Sequence, residues 1–294
     1  MGKYAKVDGD EQDDGEDGEV ASLFSPDGGQ EDSGEAARLA RNAMPPPSLC
    51  ASVGSLLKLA GPMAISSFLD GLTRQVTIMM VGHLGSTQLG AATLGTMTCN
   101  VTGFSLCFGG MSALDTLASQ AYGAQNYKLV GIWSQRGLVC LTTIGIPISF
   151  VWWFATDDIL HLLGVGDEET IALSVQFCRW MIIAFWPTLG SRVLQGFLRS
   201  QRIVKPVMYC SCVSGIVTTS VSWLWVREFG FIGAPLAQGF GAWFSLLLLL
   251  SVTRWQGLHH KCWGGLTPEA FQSLGIVARL GLAGMASTMG QVCA

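Results

Sequence analysis

Four long stretches of this chain contain no Asp, Glu, Lys or Arg: residues 84–114, 137–156, 206–226 and 229–253. A helix needs about 20 predominantly apolar residues to cross a bilayer, and each stretch supplies that length. Lipid offers no hydrogen bonds to the backbone, so a spanning segment must satisfy its own polar groups as a helix. Two further apolar stretches, 55–81 and 170–191, carry isolated charges. The sequence therefore predicts an all-α membrane protein with six transmembrane helices.

Composition excludes an ordinary soluble domain. The chain is 49% hydrophobic and only 13% charged, whereas soluble domains average about 25% charged residues. So few charges could not cover a water-exposed surface. A seventh apolar stretch begins near Gly275 and continues to Ala294, which predicts the start of a seventh helix over 275–294.

The acidic residues are concentrated at the N-terminus. Residues 1–35 hold 12 of the 21 acidic residues but only two basic ones. Such a segment buries too little apolar surface to offset the entropy of ordering it. We therefore predict a disordered acidic tail over 1–47, ending at the stiff 43–47 segment (AMPPP). It is either a solvated leader or an acidic tail that binds a partner or has a regulatory role.

Basic residues between the apolar stretches predict the orientation of the chain. Twelve of them fall on one side of the predicted membrane: Arg38, Arg41, Lys58, Lys128, Arg136, Arg192, Arg199, Arg202, Lys205, Arg254, Lys261 and Arg279. The opposite side holds only Arg227, and its predicted loop at 157–169 is acidic. Because basic loops stay in the cytoplasm, the N-terminus is predicted to be cytoplasmic and the 157–169 loop external.

Motifs for catalysis or cofactor binding are missing from the sequence. Six of the nine cysteines lie within apolar stretches, and no set of histidines accompanies them with zinc-ligand spacing. There is no phosphate-binding glycine loop and no Ser-His-Asp arrangement. We therefore expect no enzymatic activity, no metal, no cofactor and no nucleic-acid partner.

Two charged residues stand out in the first apolar stretch. Asp70 and Arg74 are four residues apart, so on a helix they share a face and are expected to pair. An ionisable residue within a membrane span is costly and is a functional-site candidate. The pair is either a structural ion pair or a proton- or cation-responsive site beside a water-filled cavity.

Several short motifs, taken in order, closely resemble eukaryotic members of the multidrug and toxic compound extrusion (MATE) family. They are residues 80–85 (MVGHLG), 100–103 (NVTG), 112–124 (SALDTLASQAYGA), 135–136 (QR), 201–206 (QRIVKP) and 233–237 (GAPLA). The 112–124 segment is the most specific of them. The resemblance covers residues 50–294.

The resemblance implies an architecture and an activity. Members have twelve helices in two six-helix lobes and export organic cations, xenobiotics or metabolites in exchange for protons or sodium by alternating access. On this basis, residues 48–274 are predicted to be the N-terminal six-helix lobe, and 275–294 the truncated start of the second lobe. We expect the fragment alone to insert into membranes without exporting substrate.

The resemblance also suggests site residues. Prokaryotic members carry a cation-responsive Asp where this chain has Thr77, and Asp70 lies two turns earlier on the same face. The coupling candidates are therefore Asp70, Arg74 and Thr77. Asp115 and Arg136 are predicted to pair across a short loop. Other motif positions are expected to line or brace the lobe: Pro62, Asn100, Asp115, Gln120, Tyr122, Gly123, Arg136, Gln201, Pro206 and Gln238.

Two other functions fit six or seven apolar stretches. A seven-span receptor would need an external N-terminus, contrary to the predicted orientation. A related flippase would move a lipid-linked substrate and show lipid-dependent transport. The sequence does not distinguish the plasma membrane from the vacuolar membrane, nor protons from sodium as the coupling ion.

Overall fold

The computed structural model describes residues 49–164, 167–257, 262 and 265. The predicted tail at 1–47 and the predicted seventh helix at 275–294 lie outside these residues. The described part of the chain is helical and contains no β-strand. Its α-helices are α1 (Leu49–Gly82), α2 (Ser86–Cys99), α3 (Ser105–Gly123), α4 (Tyr127–Phe150), α5 (Thr156–Leu163), α6 (Glu168–Ser200), α7 (Lys205–Phe229) and α8 (Gly233–Trp255).

Two of the junctions between helices are π-helical rather than open loops. Asn100–Phe104 connects α2 to α3, and Val151–Ala155 connects α4 to α5. The chain therefore continues as one long helix through each junction. This corrects the predicted loop at 157–169, because α5 extends the helix to Leu163. Asp157 and Asp158 lie in the first turn of α5, and both are exposed.

Local sequence signals account for several helix ends. The Asn126 side chain accepts a hydrogen bond from the Leu129 amide at 3.3 Å and so caps α4. Gly164 ends α5 in the left-handed conformation, with φ of 62°. Pro206 lies in the first turn of α7, where its missing amide proton is not needed.

α7 and α8 form a tight helical hairpin. Gly230 has a φ of 62° in the short 3₁₀ turn between them. A Cβ atom on Gly233 would collide with the carbonyl group of Trp225. Only glycine allows this close approach of the two backbones.

α6 lies at the centre of the bundle. It packs against α2, α3, α4, α5 and α8, while α7 packs against α1 and α8. α6 meets the two π-helical junctions at three aromatic residues, which we call the aromatic seam: Phe104, Trp152 and Phe185. Trp152 and Phe185 are fully buried, and their ring centroids are 4.9 Å apart in an edge-to-face arrangement.

The two π-helical junctions touch each other at this seam. The Trp152 indole donates a hydrogen bond to the Thr102 hydroxyl at 2.8 Å. A Cβ atom on Gly103 would overlap the Trp152 ring, so glycine at this position makes room for the indole. The irregular backbone is therefore held by a buried aromatic contact and one polar bond.

The outside of the bundle is apolar. Large hydrophobic side chains point outward along several helices, among them Phe68, Met79, Phe154 and Ile216, each about two-thirds exposed. Of the described residues, three helical stretches are long and apolar enough to cross a membrane: Tyr127–Leu162, Glu168–Ser200 and Lys205–Trp255. The third contains both α7 and α8. An apolar exterior of this extent is typical of a protein whose solvent is lipid.

Candidate functional site

A polar cavity of about 160 Å³ lies among α1, α2, α6, α7 and α8. Three charged residues line it: Asp70, Arg74 and Arg192. Hydroxyl and amide side chains make up most of the remaining polar lining: Thr73, Thr96, Asn100, Thr188, Ser191, Gln195, Ser214, Thr218, Gln238 and Ser245. Phe104 and Phe108 add aromatic surface. Polar groups from five helices therefore converge on one space.

Asp70 lies at this cavity, but its main electrostatic partner was not predicted. Asp70 and Arg74 do not form an ion pair within the part of the chain that the structure describes. Arg192 on α6 does not form an ion pair with Asp70 either, but it lines the same cavity and attracts the Asp70 carboxylate more strongly than Arg74 does. The predicted one-turn pair is therefore corrected, because spacing along one helix cannot reveal a cation on another.

Arg192 is the residue that sequence reasoning missed. We counted it among the cytoplasmic loop residues, whereas α6 continues eight residues beyond it to Ser200. Its guanidinium lies 4.7 Å from the centroid of the Phe108 ring, which is a cation–π contact. Helix-forming residues such as Leu194 and Leu198 follow it, and they were the available signal that the helix does not end there.

Thr77 occupies a packed contact and does not line the cavity. It is 1% exposed, and its hydroxyl bonds to the Thr73 carbonyl at 3.0 Å and to the Ser222 hydroxyl at 3.2 Å. This second bond joins α1 to α7. Thr77 therefore faces the bundle interior between α1 and α7, outside the residues that line the cavity.

Other predicted positions divide between the cavity and the helix ends. Asn100 and Gln238 line the cavity. Pro62 lies half-buried within α1, two turns before Asp70. Asn100 begins the π-helical junction after α2, which brings irregular backbone to the cavity wall.

The predicted pair of Asp115 and Arg136 is also corrected. The Asp115 carboxylate lies 3.6 Å from the Arg199 guanidinium on α6. Arg136 is buried on α4, where its guanidinium lies 4.7 Å from the centroid of the Trp133 ring. α6, which packs against α3, supplies the cation that pairs with Asp115.

The remaining motif residues lie at helix ends away from the cavity. Gln120 is exposed, and Tyr122 contacts Tyr127 edge-to-face at 5.4 Å near Gly123, the end of α3. Gln201 is buried, and its amide donates to the Phe197 carbonyl at 3.0 Å. Tyr122 and Gly123 therefore lie at the end of α3, Gln201 at the end of α6 and Pro206 at the start of α7.

Two hydroxyl groups at the cavity lack a hydrogen-bond partner. The Oγ atom of Ser191 and the Oγ1 atom of Thr96 are buried without a partner in the described part of the protein. Cys99 lines the same cavity, with its sulfur 3.5 Å from that of Cys178. Within residues 49–164 and 167–257, no three His, Cys, Asp or Glu side chains cluster as metal ligands.

Comparison with known proteins identifies the family. The chain matches the MatE family over residues 62–224, more than half its length. It is 35% identical over 221 residues to Protein DETOXIFICATION 16 of Arabidopsis thaliana, covering 74% of this chain and 45% of that protein. An uncharacterized transporter of Schizosaccharomyces pombe, C4B3.13, is 33% identical, with 78% and 43% covered.

The fold agrees with a solved relative. The crystal structure of the eukaryotic MATE transporter AtDTX14 matches with a TM-score of 0.78 and 28% identity, over 83% of this chain and 54% of that one. The chain thus spans about half the length of the relatives it matches. It belongs to the MATE family of transmembrane efflux transporters and is of the eukaryotic type.

Proposed function

We propose that this chain forms one lobe of a secondary active antiporter. The complete transporter exports organic cations, xenobiotics or metabolites in exchange for protons, with sodium as the alternative coupling ion. Family membership and the match to about half of each relative support the one-lobe interpretation. Alternating access requires two bodies that move against each other, so the second lobe is expected to complete the path.

The observation that carries the proposal is the position of Asp70. It is the acidic residue among the described residues that line the cavity, and Arg74 and Arg192 line the same space. A carboxyl group next to a cation in a bilayer is either protonated and neutral or ionised and attracted to that cation. Proton binding to Asp70 would remove the attraction between its carboxylate and Arg192 and so change how α1 packs against α6. That gives two states whose balance a proton shifts.

The proposed orientation places the N-terminus in the cytoplasm. It follows from the basic residues on one side of the bundle and the acids Asp157, Asp158, Asp167, Glu168 and Glu169 on the other. A cysteine at Asp158, introduced after the native cysteines are replaced, should react with an impermeant maleimide in intact cells. Reaction only after permeabilisation would reverse the orientation.

The experiment that tests the proposed function joins this chain to the part of Protein DETOXIFICATION 16 outside the matched region. We call this fusion the joined transporter. It is expected to move a fluorescent dye across vesicle membranes when a proton gradient is applied, with intact DETOXIFICATION 16 as the positive control. The 294-residue chain alone is expected to insert but not to transport. Equal transport by the chain alone would contradict the one-lobe proposal.

Asp70→Asn tests the coupling residue in the joined transporter. It should abolish transport driven by a proton gradient while leaving the amount of protein in the membrane unchanged. Asp158→Asn makes the same chemical change on exposed α5 and should transport normally. Normal proton-driven transport by Asp70→Asn would show that coupling does not use this carboxylate.

A further inference from the structure

We propose that the cavity binds the negatively charged group of an organic anion, held by Arg192 and Arg74. This proposal rests on the proposed transport function and narrows its substrate class to molecules that carry a carboxylate, sulfonate or phosphate. Charge, hydrogen bonding and size each support it.

The first support is an excess of positive charge. Five charged side chains influence one another at and below the cavity: Asp70, Asp115, Arg74, Arg192 and Arg199. The Asp115 carboxylate forms an ion pair with the Arg199 guanidinium at 3.6 Å. Asp70 then faces both Arg74 and Arg192. In a membrane interior, a cation without a matching anion is costly, so a bound anion would stabilise this arrangement.

The second support is the set of unused hydrogen-bond donors. Ser191 is 6% exposed, lines the cavity beside Arg192 and has an Oγ atom without a partner. The Thr96 hydroxyl on α2 is also unpaired at the same cavity. Hydroxyl and guanidinium groups together donate to the oxygens of an anion. The planar guanidinium suits a two-oxygen group particularly well.

A cationic ligand fits the same space poorly. Two aromatic rings line the cavity: Phe104 packs against Trp152 and Phe185, and Phe108 already has the Arg192 guanidinium 4.7 Å from its ring centroid. A second cation there would meet Arg192 and Arg74 at close range. Among the described lining residues, Asp70 is the one carboxylate that could compensate it, against two arginines.

The size of the cavity indicates how much of the ligand it can enclose. Its volume of about 160 Å³ is close to that of a protein cavity known to hold benzene, roughly 150 Å³. A single ring with one charged substituent is therefore the largest group expected to fit within this lobe. Benzoate and benzylammonium are matched probes, since they share this size and carry opposite charges.

The test measures equilibrium binding of radiolabelled benzoate to the purified 294-residue chain in phosphatidylcholine nanodiscs, with empty nanodiscs subtracted. Benzoate is expected to bind at least about tenfold more tightly than benzylammonium, measured by competition. Arg192→Gln should weaken benzoate binding about tenfold or more. Arg192→Lys should retain part of it. Arg227→Gln removes an exposed arginine at the end of α7 and should leave it unchanged.

Three results would overturn the proposal: tighter binding of benzylammonium, no binding of either probe, or unchanged benzoate binding by a folded Arg192→Gln variant. If Arg192→Gln does not fold, Arg74→Gln takes its place, because Arg74 is exposed. It should weaken benzoate binding several-fold.

The proposed transport function and the proposed anion site can be contradicted independently of each other. A joined transporter that moves nothing contradicts transport even if benzoate binds, and proton-driven dye export without benzoate binding contradicts only the anion site.

Discussion

The aromatic seam and the polar cavity lie on adjacent faces of the same helix, α6. Leu189 on α6 is buried on the side of the seam, where it lies close to Gly145 of α4. Its neighbour Thr188 lines the cavity. Phe104 belongs to both regions, since it packs against Trp152 and Phe185 and also forms part of the cavity wall. Two consecutive residues of α6 therefore face different surroundings: Thr188 faces the polar cavity, and Leu189 faces the apolar packing beside the aromatic seam.

The difference shows what holds each region together. The seam depends on shape, because aromatic rings from three segments fill the volume between α2, α4 and α6. The cavity depends on charge, because Asp70 and Arg192 come from helices distant in sequence and influence each other across space. We expect changes in the seam to alter stability and changes in the cavity to alter binding and coupling.

The largest expected effect is on stability, from Trp152→Ala. Removing the buried indole leaves a void in the seam and leaves the Thr102 hydroxyl without its donor. The free energy of unfolding in mixed micelles should fall by about 3–5 kcal/mol. Trp153→Ala is the matched control, because Trp153 is half exposed on the outer surface. Equal losses for the two variants would mean that the seam is not a packed contact.

A smaller effect on the free energy of unfolding, this time an increase, is expected from a substitution at the cavity. Ser191→Ala removes a buried hydroxyl that has no partner, so it should raise the free energy of unfolding by about 1 kcal/mol. Ser174→Ala should lower it by about 1 kcal/mol, because the buried Ser174 hydroxyl contacts the Ala91 and Thr170 carbonyls. Destabilisation by Ser191→Ala would imply that its hydroxyl is already satisfied.

The smallest effect concerns the ion pair below the cavity. Asp115 and Arg199 are 3.6 Å apart and partly exposed, so their coupling free energy should be below about 1 kcal/mol. A double-mutant cycle with Asp115→Asn and Arg199→Gln measures it. The corresponding cycle for Asp115 and Arg136 should give no coupling. Coupling between Asp115 and Arg136, with none between Asp115 and Arg199, would instead support the pair predicted from the sequence.

The sequence predicted the helical membrane class and the family, but only part of the site. Apolar length predicts helices, and Asp70 was found because a charge in an apolar stretch is rare. Arg192 was missed because the apolar stretch 170–191 stops just before this charged residue, whereas the helix continues to Ser200. Asp115 was assigned the wrong partner for a related reason, since α6 approaches α3 only in the folded bundle. The contact of Thr77 with Ser222 could not be predicted either, because Ser222 lies on α7, 145 positions later in the chain.

The most direct test of the central claim compares the reactivity of two adjacent positions. Thr188→Cys and Leu189→Cys are made in a variant whose native cysteines are replaced by alanine, and each is exposed in membranes to water-soluble methanethiosulfonates of either charge. We predict that Thr188→Cys reacts, and faster with the anionic reagent than with the cationic one, whereas Leu189→Cys stays unmodified. Equal labelling of both positions, or none at Thr188→Cys, would contradict a polar, positively charged cavity beside a closed seam.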